Sequence, residues 1–272
     1  MLPGAAPATP EGATNSPNPK SAHRASSGGK ASDSKPGKPA AGTGVAGLVA
    51  RPLMLNGKSG LLQISGDDKA ITVKKLQLAG EGVSDPSQPC VVDIVGETPI
   101  EATNVGRPDG LERFEVNVPA CPISFDVLDG AVLVPTQITA CVFKAADCQT
   151  SPGGLWGPEG GSLAGDAAKI AKERAEAEKS MGKLVRAIED HAEDNTQAAD
   201  LVRDQNGFAT QRDELCRDYA KESLHGYCAL RATEARTALL QARLDELSPT
   251  TPSKTANEKS KKTKSKRSAK QP

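Results

Sequence analysis

Six cysteines constrain this chain more than any other feature of its 272 residues. They are Cys90, Cys121, Cys141, Cys148, Cys216 and Cys228. Only 3% of the residues are aromatic, so the chain has few large apolar side chains with which to build a stable core. Small domains of this kind use disulfide bonds when they fold in an oxidising compartment. Reduced, buried cysteines are the alternative, but the even number favours three disulfides.

The spacing of the cysteines argues against a zinc site. None of them forms a CxxC pair, and only His225 lies three residues from a cysteine. No second pair of ligands accompanies it, whereas a structural zinc ion needs four. We therefore expect neither a metal nor a cofactor.

Disulfides imply export, although the chain carries no obvious signal peptide. Residues 1–39 contain no continuous apolar segment, and the stretch 40–50 is short and rich in glycine. No run reaches transmembrane length. We expect that a signal peptide is missing from this chain or that its start was misassigned, and that the protein is periplasmic or secreted. The alternative is a cytosolic protein with reduced thiols.

Charge divides the chain into four blocks whose net values cancel. Residues 1–47 carry +3, residues 48–165 carry −6, residues 166–247 carry −4 and residues 248–272 carry +7. The segment 1–47 is rich in Pro, Ala, Ser and Lys, so it cannot bury enough apolar surface to fold. The Lys-rich tail 249–272 lacks aromatic residues. We predict that both ends are disordered.

The basic tail has two interpretations. It is either a solvated, solubilising tail or an electrostatic contact with anionic cell-wall polymer or membrane, worth about 1 kcal/mol per basic residue near the surface. Binding to nucleic acid is less favoured, because no aromatic side chains accompany the charge. If the tail binds a partner, its charge therefore predicts that the partner is an anionic polymer or lipid.

Residues 48–150 alternate apolar and polar positions in the manner of β-strands. Phe114, Val116 and Val118 follow this pattern, and the segment 70–79 does so with a slip at Lys74–Lys75 that predicts a bulge. Asp129-Gly130 predicts a tight hairpin turn. We therefore predict a small antiparallel sandwich or barrel that contains four of the cysteines. Four cysteines allow three pairings, and we favour Cys90–Cys121 with Cys141–Cys148.

The next segment, 151–165, is rich in Gly and Pro and is predicted to be a linker, with Trp156 docked on the β domain. From Asp166 the apolar period becomes helical. One set of residues recurs every seven positions, and a second set with the same spacing lies four positions later. Together the two sets predict a coiled-coil seam, which polar residues interrupt at 191–197. A second helix reaches about Tyr219, and a third runs from about Cys228 to Leu247.

Cys216 and Cys228 lie twelve residues apart on either side of the turn that Gly226 predicts. A disulfide between them would join two helices and stabilise the fold by about 3 kcal/mol in the chain-entropy model. No positioned base accompanies either thiol, so a structural crosslink is favoured over a reactive pair.

The helical segment from about Lys169 to Leu247 resembles the LprI-type lysozyme-inhibitor family. The residues that carry this resemblance are Gln205, Phe208, Arg212, Asp213, Cys216, Cys228, Thr233, Arg236, Leu239 and Leu240. Family members usually have Trp where this chain has Phe208. The resemblance implies export to the bacterial envelope and binding to a protein partner, namely a lysozyme.

The motif residues have a structural and a functional interpretation. In the first, Gln205, Phe208, Arg212, Asp213, Thr233 and Arg236 hold the helices together, with Arg212 bridging to an acid and Thr233 bonding to backbone. In the second, the crosslinked loop 219–227 is a contact surface. That surface would consist of Lys221, Glu222, Ser223, His225 and Tyr227.

The sequence thus predicts an α+β chain of two domains: a small antiparallel β sandwich or barrel (48–150), then a disulfide-crosslinked three-helix bundle (166–248), with disordered termini. Enzymatic activity is not expected, because the chain has neither G-x-S-x-G nor a complete P-loop. We expect an exported bacterial envelope protein that acts as a binding module, and the LprI-type resemblance implies lysozyme inhibition through the C-terminal helical domain. The alternative is a structural or adhesive envelope protein that uses its basic tail.

Overall fold

A computed structural model describes residues 44–49, 51–136 and 140–247, which belong to one compact unit. The residues of this unit form eleven strands and five α-helices in its described part. The strands are β1 (Leu53–Leu55), β2 (Ser59–Gly66), β3 (Ile71–Gly82), β4 (Pro89–Asp93), β5 (Ile100–Asn104), β6 (Arg113–Val116), β7 (Ile123–Leu128), β8 (Ala131–Val134), β9 (Cys141–Phe143), β10 (Cys148–Thr150) and β11 (Gly154–Gly157). The helices are α1 (Ala46–Val49), α2 (Ala167–Glu189), α3 (Thr196–Cys216), α4 (Glu222–His225) and α5 (Tyr227–Leu247).

Eight of the strands close into an antiparallel barrel in the order β2-β1-β11-β8-β7-β6-β5-β3, and the pairing of β3 with β2 completes the circle. The strands β4, β10 and β9 extend the sheet beyond the barrel through the far end of β3. The prediction of a small β domain followed by a separate three-helix bundle was therefore wrong. Barrel closure depends on pairings between distant strands, which the alternation within each strand does not specify.

The alternation correctly predicted which side chains fill the barrel. Phe114 and Val116 of β6 and Phe125 of β7 are buried, and they pack with the inward positions of the other strands. The predicted slip is also confirmed, because the register of β2 against β3 shifts so that Lys74 has no partner. The turn Asp129-Gly130 joins β7 to β8 with Leu128 opposite Ala131.

All the described cysteines form disulfides, but two of the predicted pairings were wrong. Cys121 bonds to Cys141 and Cys90 bonds to Cys148, whereas Cys216 bonds to Cys228 as predicted. In the β9–β10 hairpin Cys141 lies opposite Thr150, which leaves Cys148 out of register with it. Cys141 and Cys148 are therefore close in the sequence, but the hairpin register does not bring their sulfur atoms together.

The bond between Cys90 and Cys148 joins two strands that both flank β3. Their Cα atoms are 5.8 Å apart, although two strands on either side of a flat strand would be about 9–10 Å apart. The sheet therefore curls sharply at this point. Gly80 permits the curl, because a Cβ atom there would collide with the carbonyl oxygen of Gln149.

The segment 151–165 contains a strand of the barrel, so its prediction as a linker was wrong. Its residues Gly154–Gly157 form β11, which is buried throughout and lies between β1 and β8. Trp156 is buried, as predicted, and its indole N–H donates to the carbonyl of Pro152 at 2.9 Å. This segment is rich in glycine and proline because its backbone lies close to neighbouring parts of the chain. A flexible linker makes no such close contacts.

The helical period correctly located the long helices and the break between them. Helix α2 ends at Glu189 and α3 begins at Thr196, where the Asn195 side chain accepts hydrogen bonds from the N–H groups of Gln197 and Ala198. Such a cap supplies partners for the N–H groups that a helix start leaves free. The short helix α4 was not predicted.

The helices α2, α3 and α5 share an apolar cluster with one another, but they also pack on the outer face of the barrel, so they do not form a separate bundle. Leu128 and Leu155 of the barrel share one apolar cluster with Cys228 and Leu230 of α5. The strands β7, β8 and β11 are consequently buried on both faces. None of the described helices is long and apolar enough to cross a membrane.

The boundary predicted at residue 47 was too late, because Val45, which precedes it, is fully buried in the barrel core. The backbone N–H of Val45 donates to the Asp68 carboxylate at 2.7 Å, which fixes this segment to the β2–β3 turn. The remainder of the segment predicted to be disordered, 1–43, and the tail 249–272 lie outside the described residues.

Candidate functional site

The disulfide Cys216–Cys228 closes a loop of residues 217–227, which we call the braced loop. Both sulfurs are buried, and the two Cα atoms are 5.5 Å apart. The bond joins the end of α3 to the first turn of α5. The two ends of the braced loop are therefore fixed to two helices.

Glu222 supports the braced loop from within. One of its carboxylate oxygens accepts a hydrogen bond from the N–H of Cys228 at 3.0 Å, and the other accepts one from Ala229 at 2.8 Å. These N–H groups belong to the first turn of α5, where a helix lacks internal partners and carries partial positive charge. The Glu222 side chain therefore stabilises the start of α5.

His225 also supports the loop from within. Its Nδ1 atom accepts a hydrogen bond from the N–H of Tyr227 at 3.1 Å, and its Nε2 atom lies 3.0 Å from the carbonyl oxygen of Ala220. Because Nδ1 accepts, Nε2 carries the proton and donates to Ala220. The ring is buried, and both of its nitrogens bind backbone.

Two tyrosines fix the braced loop to the barrel. The Tyr219 hydroxyl donates to the carbonyl of Pro158 at 2.7 Å, and the Tyr227 hydroxyl donates to that of Gly130 at 3.0 Å. Burial raises the pKa of both phenols, so they stay protonated and act as donors at neutral pH. In addition, the N–H of Ala220 donates to the carbonyl of Asn56 at 2.8 Å.

The structure separates the five predicted contact residues into two groups. Lys221 and Ser223 are exposed, whereas His225 and Tyr227 are buried and the Glu222 carboxylate caps α5. His225 and Tyr227 therefore cannot form part of a contact surface. Their polarity suggested exposure, but each finds its partners inside the fold, which the sequence does not reveal.

Leu224 is the residue that sequence reasoning missed. Its side chain is 65% exposed, the largest exposure among the large apolar side chains in the described ranges. The sequence did contain a signal of this exposure. Leu224 stands alone among Ser223, His225 and Gly226, outside any helical or strand period of apolar residues. The tip of the braced loop therefore consists of Lys221, Ser223 and Leu224.

A groove of about 670 Å³ adjoins the tip and separates it from α2. Arg174 and Glu178 of α2 line one wall and are joined by a hydrogen bond of 2.9 Å. Asp213 of α3 and Arg217, which follows the end of α3, also line the groove. The groove thus presents charges of both signs beside the exposed Leu224.

The family-motif residues lie mostly at the contact between α3 and α5. Arg212 binds Asp213 at 3.0 Å and reaches Glu178 of α2 at 3.4 Å, so it does bridge to an acid on a neighbouring helix. The Thr233 hydroxyl donates to the carbonyl of Ala229 at 2.7 Å, close to Cys228. These contacts match the structural interpretation of both residues.

Phe208 lies between two guanidinium groups. Arg212 and Arg236 are 6.0 and 5.8 Å from the centre of its ring, a distance typical of cation–π contacts. Arg236 also donates through Nε to the Gln205 side chain at 2.9 Å. The structure thus brings together Gln205, Phe208, Arg212 and Arg236.

Within the described ranges, no group of three or more His, Cys, Asp or Glu side chains could hold a metal ion. Comparison with family models, curated proteins and solved structures finds no match for this chain. The three disulfides indicate an oxidising, extracytoplasmic environment. The absence of enzymatic activity stays a prediction.

Proposed function

We propose that this protein is an exported bacterial envelope protein, periplasmic or secreted, whose braced loop binds a protein partner. The observation that carries the proposal is the contrast between the rigid base of the loop and its exposed tip. A disulfide, a carboxylate cap and two buried tyrosines hold the base, while Leu224 is 65% exposed.

The braced loop suits binding for an entropic reason. A mobile loop loses conformational freedom when a partner immobilises it, at about 0.5–1.5 kcal/mol for each ordered side chain. Much of that loss has already occurred in folding, because the loop ends are crosslinked and the side chains of Tyr219, Glu222 and His225 are hydrogen-bonded. An exposed leucine on a fixed backbone can then act as an apolar anchor in a pocket of the partner.

A lysozyme is the partner that we propose to test first. The LprI-type resemblance, carried by Arg212, Cys216, Cys228 and Arg236 among others, suggests it. Charge supports the choice, since residues 48–247 carry ten more acidic than basic residues and lysozymes are usually cationic. Opposite charges steer two proteins together and raise the rate of association.

The test measures the muramidase activity of several lysozymes in the presence of the whole chain and of the Leu224→Asp variant. Val91→Asp is the matched control, because Val91 is 58% exposed on β4 and lies outside the braced loop. We expect inhibition by the wild type and by Val91→Asp. Loss of a leucine anchor would weaken binding by about 2 kcal/mol, or about thirtyfold.

Two results would contradict the proposal. The absence of inhibition of every lysozyme at micromolar concentrations would remove lysozyme as the partner. Equal inhibition by Leu224→Asp and the wild type would remove the braced loop as the contact surface. Circular dichroism of both variants would show whether the fold is retained.

A further inference from the structure

A cavity of about 330 Å³ lies between the helices and the outer face of the barrel. Leu133 of β8, Leu215 of α3 and Leu239 of α5 contribute apolar side chains to its lining. The volume falls near the lower limit of the roughly 300–1,000 Å³ that small-molecule sites span. Such a cavity is large enough for a short apolar molecule.

Arg236 places a positive charge without a full set of partners in the wall of this cavity. Its Nε atom binds Gln205, but its Nη2 atom is buried and has no hydrogen-bond partner among the described residues. A buried donor without a partner is unfavourable, and more so when it belongs to a charged group. An anion bound beside the Arg236 guanidinium would offset part of this penalty.

Burial lowers the pKa of the Arg236 guanidinium, and the charge of Asp204 opposes this shift. The group nevertheless stays protonated at neutral pH, because the ordinary pKa of arginine is far above that range. Arg236 therefore brings a full positive charge to the cavity wall.

The other charged groups of the cavity already have partners. Asp126 receives two hydrogen bonds from Arg113, and Asp109 receives one each from Arg113 and Arg243. Arg212 is held by Asp213 and Glu178. The acids of the lining are thus neutralised, and Arg236 is the charged residue of the lining that keeps a donor without a partner.

We propose that this cavity binds a small amphipathic carboxylate, with the carboxylate on Arg236 and the apolar body against the leucines. A single unpaired amino group, Nη2 of Arg236, suits a singly charged ligand, since a phosphate dianion would lose more hydration than contacts to one such group restore. This inference is independent of the braced loop and of any lysozyme.

Calorimetric titration of the whole chain with octanoate, octanol and octylammonium tests the proposal. These probes share an apolar body and differ in charge. We expect saturable binding of one octanoate, with octanol and octylammonium about tenfold weaker or more, because a charge-assisted hydrogen bond contributes about 1.5–3 kcal/mol. Equal affinities for octanoate and octanol, or no saturable octanoate binding at millimolar concentrations, would overturn the proposal.

Two variants locate the site. Arg236→Met should lose the preference for octanoate over octanol, whereas Arg203→Met, which removes an exposed arginine of α3 outside the cavity, should keep it. Ala235→Leu should fill the cavity and abolish octanoate binding while Arg236 remains. If Arg236→Met does not fold, unchanged binding by Ala235→Leu would by itself overturn the proposal.

Discussion

Arg113 and Asp126 lie opposite each other on adjacent barrel strands and are joined by two hydrogen bonds of 2.6 and 2.9 Å. This pair raises the pKa of Arg113, since the hydrogen bonds from its guanidinium to Asp126 favour the charged form. Asp109 accepts from Arg113 as well as from Arg243 of α5. The network therefore connects the barrel wall to the helical layer.

Replacing Arg113 with Met should lower the free energy of unfolding by about 3 kcal/mol, because it leaves the buried Asp126 carboxylate without its partner. Urea denaturation would measure the change. Lys169→Met is the control, since it removes an exposed ion pair with Glu173 and should lower stability by less than about 0.5 kcal/mol. The double variant Arg113→Met, Asp126→Leu should regain most of the lost free energy of unfolding. If it does not, the loss comes from altered packing and not from the unpaired carboxylate.

Removing the disulfides should reveal the effect of loop length. In the chain-entropy model the Cys90–Cys148 bond, with a separation of 58 residues, contributes about 4 kcal/mol. The Cys216–Cys228 bond, with a separation of 12, contributes about 3 kcal/mol. We expect the first double Cys→Ala variant to unfold at lower denaturant than the second. The reverse order would mean that native contacts at each bond outweigh loop entropy.

The charge of Asp67 should stabilise the β2–β3 turn in a pH-dependent manner. Hydrogen bonds from the N–H groups of Lys69 and Ala70 lower the pKa of Asp67 from its ordinary 3.8. Because the folded pKa is lowered, the stabilisation is present above pH 3.8 and is lost as the pH falls through the folded value. Asp67→Asn keeps an acceptor oxygen but removes the charge.

Asp67→Asn should therefore be less stable than the wild type at neutral pH, and the difference should shrink as the pH falls below 3.8. Denaturation curves across this range would test it. A difference that is constant with pH would show that the charge of Asp67 is not the cause.

The basic tail lies outside the described residues, and we propose that it contacts an anionic surface. Residues 249–272 carry +7, and we expect them to bind anionic cell-wall polymer or anionic vesicles, with loss of binding at high salt. Sedimentation with peptidoglycan and with anionic vesicles, before and after deletion of 249–272, would measure this. Equal binding by both forms would exclude the tail as an anchor.

Local sequence was sufficient where partners are close along the chain. The hairpin at Asp129-Gly130, the helix break before Asn195 and the bond between Cys216 and Cys228 each depend on residues no more than 12 positions apart in the chain. The inward face of each strand could also be predicted, because side chains alternate with a period of two.

The candidate site was only partly predictable. Lys221 and Ser223 are exposed as expected, but polar His225 is buried because its ring binds the backbone of Ala220 and Tyr227. Leu224 is exposed although it is apolar. Residue type gives the preference for burial, whereas the chain path decides whether a neighbour is present to satisfy or to cover the side chain.

The sequence by itself determined the local periods, the turn positions and the crosslink between neighbouring helices. The tertiary structure decided that β3 closes a barrel on β2, that Cys90 pairs with Cys148, and that the helices cover the barrel wall. The physical reason is that these features depend on contacts between segments far apart in the chain. The free energy that stabilises them comes from surfaces that meet only when the chain has folded, and no local pattern of residues specifies which surfaces meet.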